Sequence, residues 1–158
     1  MFAGDMHPGT SHGEQVGIAT ISMSKFQNAI LKKEQPPIIY PTNIPEEEIS
    51  QKLGEPMLET IKKSMDPKIF DQKKADTTNE YFSKHWSEFV EPLREKMLDY
   101  DLIWNSMGEC GALRTPEDAK LDSNFYKDAL RYGRFIRDRY TILDLAGDSN
   151  QLDNLINV

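Results

Sequence analysis

Apolar residues along this chain recur at three- and four-residue steps and nowhere alternate over the length of a strand, which predicts an all-α fold of about six to eight helices. From His12, the residues Val16, Ala19, Met23, Phe26 and Ile30 fall on one helical stripe. The histidine is therefore expected to head the buried face of a first helix. That helix should end near residue 33, because Pro36-Pro37 cannot continue it and the residue before a proline avoids helical geometry. Residues 1–11, with two glycines, a proline, Thr10 and Ser11, read as a leading loop that includes a solvent-facing His7.

Ile38, Ile39 and Tyr40 are bracketed by prolines and read as an extended connector rather than part of a sheet. Asn43, Pro45 and three following glutamates predict a short capped helix that stops near Gly54. Met57, Leu58, Ile61 and Met65 continue at helical spacing up to Asp66-Pro67. Lys68 to Asp76 has little periodicity and is expected to be an exposed connection. Thr77-Thr78-Asn79-Glu80 offers a capping box, opening a long helix whose face is Phe82, Trp86, Phe89, Leu93 and Met97. Pro92 marks a place for a kink or for the start of a second helix, and His85 lies one position off the stripe.

Leu102, Ile103, Trp104 and Met107 extend the pattern to a stop at Gly108 or Gly111. Thr115-Pro116-Glu117-Asp118 predicts a short helix, and Ser123 a cap for a helix striped by Phe125, Ala129, Tyr132, Ile136, Tyr140 and Leu143. Lys127, Arg131 and Arg134 share another face of it, read as a solvated basic row in preference to a phosphate site. Asp148-Ser149 would cap a last turn through Leu152, Leu155 and Ile156. The expectation is a single helical domain spanning residues 1–158.

Composition narrows the function. The chain has 158 residues, 38% of them hydrophobic, enough for a core of ordinary size. Its 26 acidic and 19 basic residues give a formal charge of -7, which argues against a nucleic-acid surface. Cys110 is the single cysteine, so an internal disulfide is excluded and a reducing compartment is favoured. Cys110 also lacks a nearby basic group that would favour a thiolate. The chain holds no apolar run approaching the ~20 residues of a spanning helix, nor a leader at its start, and a cytoplasmic location is expected. No strand followed by a Gly-rich phosphate loop occurs, so no residue is assigned to cofactor binding, and no grouping of side chains suggests nucleophilic catalysis.

Two segments carry chemistry by likeness. His12-Gly13-Glu14-Gln15-Val16-Gly17-Ile18-Ala19 resembles the metal-binding HGExV segment of the iron-containing alcohol dehydrogenase and dehydroquinate synthase superfamily, and its Gln15 and Val-Gly are most similar to the sn-glycerol-1-phosphate dehydrogenase branch. Arg137-Asp138-Arg139-Tyr140-Thr141-Ile142-Leu143-Asp144-Leu145-Ala146 is similar to that branch's C-terminal RDRxTxLDLA segment. The resemblance covers only the family's helical, metal-binding C-terminal domain. It implies that His12 is one metal ligand, and that the nucleotide-binding domain, with NAD(P), an aspartate ligand and the first family histidine, is absent from this chain. His7 is too close to His12 to take that histidine's role.

The metal so implied is zinc or another divalent ion, iron and nickel included. The reaction is the NAD(P)-linked interconversion of dihydroxyacetone phosphate and sn-glycerol 1-phosphate. The implied partners are the missing nucleotide-binding domain and a phosphorylated polyol, with homo-oligomerisation compatible. Since catalytic metal sites take three protein ligands, the chain alone is expected to be inactive. Glu14 faces away from His12 on a helix and is expected only to stabilise the helix dipole. The alternatives are a stand-alone helical binding or scaffold module, and a fragment of a glycerol dehydrogenase or dehydroquinate synthase relative.

Overall fold

The computed structural model describes residues 10–157, and they are helical without a strand. In chain order the helices are α1 (His12–Leu31), α2 (Glu46–Leu53), α3 (Glu55–Met65), α4 (Gln72–Arg94), α5 (Tyr100–Glu109), α6 (Ser123–Tyr132), α7 (Ile142–Asp148) and α8 (Leu152–Ile156). Short 3₁₀ turns follow α3 at Asp66–Lys68 and α6 at Gly133–Ile136. No helix among the described residues is long and apolar enough to cross a membrane.

The chain divides into two compact units. Described residues up to Glu34 together with Ser87–Ala129 form the first, and Gln35–Trp86 with those from Leu130 onward form the second. In the first unit α1 packs on α5. Gly17 allows that approach, since a Cβ there would lie 2.8 Å from Cε of Met107. The residues that α1 buries are Ile18, Ile21, Ser24, Phe26, Ile30 and Leu31, so the stripe expected from His12 is displaced. Val16 is 48% exposed and His12 is exposed as well. A helix apolar on several sides offers no single stripe that periodicity can select.

Side chains determine where α1 ends. Nε and Nη2 of Arg94 donate to the carbonyls of Leu31 and Lys33 at 2.6 and 2.8 Å, satisfying carbonyls that have no partner inside the helix. Asp99 caps α5, accepting from the Asp101 N–H at 2.9 Å. The helix expected at Thr115 to Asp118 is a closed turn instead. The Asp118 carboxylate accepts from the Arg114 and Thr115 N–H groups, both at 3.1 Å, and these bonds hold its carboxyl below the usual range. Asp122, not Ser123, caps α6, receiving the Phe125 N–H at 2.8 Å.

In the second unit the core is Ile49, Leu58, Ile61, Met65, Tyr132 and Phe135, with Ile44 packed against it. The connector before α2 has no helix or strand. Its Ile39 is buried, and the Asn79 side chain serves both its backbone groups, accepting from N–H at 2.7 Å and donating to C=O at 2.8 Å. One amide thereby replaces a neighbouring strand.

Four further expectations are corrected. Lys68 to Asp76 is not an exposed connection, because Lys68 is buried and α4 begins at Gln72. Asp71 supplies the cap of α4 through the Lys74 N–H at 2.7 Å, which leaves Thr77 to Glu80 inside the helix. α4 departs from helical geometry at His85 (φ -127°, ψ 16°) rather than at Pro92. The stripe from Phe125 to Leu143 is likewise not one helix. α6 stops at Tyr132, the chain turns through Gly133–Ile136, and Ile136 is exposed.

Candidate functional site

The head of α1 is built by a reciprocal cap. Ser11 Oγ accepts the Glu14 N–H at 3.3 Å, and Oε2 of Glu14 accepts the Ser11 N–H at 2.7 Å. This S-x-x-E capping box gives Glu14 a second role beside stabilising the helix dipole. The bonds from Ser11 hold the Glu14 carboxyl below its ordinary value. Gln15 Nε2 donates to the Thr10 carbonyl at 3.2 Å, and the Thr10 hydroxyl donates to the Ala119 carbonyl at 3.1 Å. His12 is the first residue of the helix and is exposed, and a side chain on Gly13 would meet nothing within 4 Å. The histidine is thus exposed on a capped helix start.

The second matched segment does something different. Asp144, 1% exposed, is set 2.8 Å from Nζ of Lys68, with Nε of Arg134 at 3.6 Å. Its other oxygen accepts the N–H and the hydroxyl of Thr141, both at 2.8 Å, so Thr141 and Asp144 cap α7. One turn on, Asp148 is ion-paired to Nη2 of Arg134 and accepts the Tyr140 hydroxyl at 3.1 Å. Both oxygens of both carboxylates are occupied. Buried charges stay ionised only when paired and hydrogen-bonded in this way. The cluster clamps the 3₁₀ turn, α7 and the residues after α3 together, and no oxygen is left over for proton transfer. Burial, reinforced by the charge of Asp148, raises the Tyr140 hydroxyl far above the ordinary tyrosine range.

The other residues marked by sequence reasoning are dispersed. Arg134 of the expected basic row is buried in the cluster, while Arg131 pairs with Asp153 at 2.9 Å. His85 stacks on Tyr81 with ring centroids 4.8 Å apart, and Cys110 is exposed just after α5. His7 lies outside the described residues. Lys68 and Asp148 were missed because their sequence neighbours read as connection and cap. The available signal was the i, i+4 pair of aspartates at 144 and 148 within an apolar segment, which requires cations nearby.

Among the described residues, no three His, Cys, Asp or Glu side chains converge as a metal-binding group. His12 by itself is not the donor set of a catalytic metal, and a metal held there requires donors beyond the described residues. Comparison with protein-family models, with curated proteins and with solved structures finds no match to this chain.

Proposed function

We propose that this chain is the helical half of an sn-glycerol-1-phosphate dehydrogenase-like oxidoreductase, active only together with a nucleotide-binding domain that supplies NAD(P) and the remaining metal donors. The observation that carries this reading is the exposed His12 on a firmly capped helix end, within the segment that resembles the family's metal motif. An imidazole so held can join donors contributed by another domain without reorganising its own helix. The buried cluster around Asp144 gives the other matching segment a purely architectural task.

The test is complementation. A separately produced nucleotide-binding domain of that dehydrogenase branch, given zinc, NADPH and dihydroxyacetone phosphate, should oxidise NADPH only when this chain is added, and His12→Ala should lower that rate at least ~100-fold. Equal rates with and without the chain would end the proposal. A second reading, a stand-alone helical binding module, is favoured by an apolar groove in the first unit, and it predicts ligand binding without complementation.

A further inference from the structure

The face of α1 that the sequence marked for burial is open and forms one wall of a groove of about 550 Å³ within the first unit. Val16, Met23 and Leu31 line this wall, and Leu93, Met97 and Ile103 line the opposite one. From Val16 to Leu31 the helix rises about 22 Å at 1.5 Å per residue, so the groove is long relative to its volume. That volume is in the range of small-molecule sites, which are apolar with a few placed polar groups. Two methionines on facing walls let such a channel adapt to a flexible occupant.

Four polar side chains, Thr20, Ser24, Gln27 and Lys96, interrupt the apolar lining. Lys96 is the one charged side chain along the groove, and among the described residues no carboxylate pairs with it. Ser24, on the α1 wall, is 3% exposed, and among the described residues its hydroxyl has no hydrogen-bond partner. A buried hydroxyl without a partner is costly until something supplies one. Lys96 is exposed and solvated without a ligand, and as the one cation of the lining it suits a singly charged anionic head, whereas a multiply charged phosphate ester would bring more negative charge than one cation balances. A single anionic head on a linear apolar body matches both charge and shape.

We propose that this groove binds a linear medium-chain carboxylate, its head on Lys96 and its chain along the apolar walls between α1 and the segment from Leu93 to Ile103. Decanoate, kept below its micelle concentration, serves as the probe. Titration should show saturable binding of one equivalent, with the ε-methyl resonances of Met23 and Met97 shifting together. Lys96→Gln should weaken decanoate about tenfold, as expected for losing a charge-assisted contact, and should leave the affinity for decan-1-ol unchanged. Ala19→Leu, which narrows the groove from the α1 wall, should weaken both probes. Decanoate affinity indifferent to Lys96→Gln would overturn the proposal. Methyl shifts that follow protein concentration instead of probe would overturn it too, because the groove would then be covered by a second copy of the chain.

Discussion

The guanidinium of Arg134 fills the space that a side chain at residue 147 would need: a Cβ on Gly147 would lie 1.4 Å from Nη1 and 2.5 Å from Cζ. Gly147 is inside α7, so its role is room for the arginine and not backbone freedom. Arg134 cannot swing aside without leaving Asp148 and Asp144. Gly147→Ala should therefore break a buried ion pair and destabilise the protein by about 3 to 5 kcal/mol. Gly13→Ala, where nothing lies within 4 Å, should change stability by less than ~1 kcal/mol. Urea unfolding of the two variants reads the contrast, and an unshifted midpoint for Gly147→Ala would contradict the packing described.

Burial separates two lysine–aspartate pairs. Lys68 and Asp144 have side chains 3% and 1% exposed, whereas Lys32 and Asp99 are both 49% exposed. Asp144→Ala strands the Lys68 ammonium in the interior and should cost about 3 to 5 kcal/mol. Lys32→Ala should cost less than ~1 kcal/mol, since solvent screens that pair. Replacing both members of the buried pair, Lys68→Met with Asp144→Leu, should recover only part of the loss, because Arg134 is left with Asp148 alone and the Thr141 cap of α7 goes with Asp144. If Asp144→Ala proves no worse than Lys32→Ala, the cluster does not hold the second unit together.

The contrast between these pairs also shows what could be read in the sequence. Helix positions were legible wherever apolar spacing and caps agree, as for α1, for Leu58, Ile61 and Met65 in α3, and for Asp118 closing on Thr115, although there a turn forms instead of a helix. The buried cluster was not legible, because Lys68 and Arg134 look solvated in one dimension and become interior only when α7 brings two aspartates to them. Of the candidate site, His12 was correctly placed at a helix start, but its exposure was not foreseen. Ile18, Ile21, Phe26 and Ile30 compete with Val16, Ala19 and Met23 for the core, and only tertiary packing decides between two apolar faces.

The same competition fixes a prediction in α4. Sequence spacing put Trp86 and Phe89 on one buried face, but Trp86 and Val90 are buried while Phe89 is 40% exposed. Trp86 meets the Phe82 ring edge-on at 5.2 Å. Trp86→Ala should cost about 3 to 5 kcal/mol. Phe89→Ala should cost less than ~1.5 kcal/mol, because much of its surface is already in water. Similar losses from the two substitutions, measured by urea unfolding, would restore the face expected from spacing.

Alkaline pH should weaken the fold through tyrosine ionisation. Tyr140 is raised chiefly by burial and then by Asp148, and burial also raises Tyr126 and Tyr132. A raised folded-state value means that the stabilisation is complete below the unfolded tyrosine value of about 10 and is lost as pH rises beyond it. Tyr140→Phe should cost about 1 kcal/mol at neutral pH through the lost bond to Asp148, and it should flatten the decline above pH ~10. Phenolate absorbance against pH, recorded beside unfolding midpoints, checks both. Ionisation of all tyrosines near pH 10 in the folded protein would contradict the raised hydroxyls.

The head of α1 allows fold and function to be separated by two adjacent residues. Ser11 makes the cap, so Ser11→Ala should cost about 1 kcal/mol. It should weaken an acid dependence without removing it, because the Ser11 N–H still donates to the Glu14 carboxylate. Glu14 is held below its ordinary value by Ser11, which means that its stabilisation is present above about pH 4.3 and disappears as pH falls through the lowered value. His12 is exposed at the next position, and His12→Ala should change urea stability by less than ~0.5 kcal/mol. Under the proposed function the order of effects reverses in the complemented enzyme, where His12→Ala abolishes turnover and Ser11→Ala only slows it. If His12→Ala instead unfolds the chain as readily as Ser11→Ala, the imidazole has a structural duty and its candidacy as an open metal donor fails.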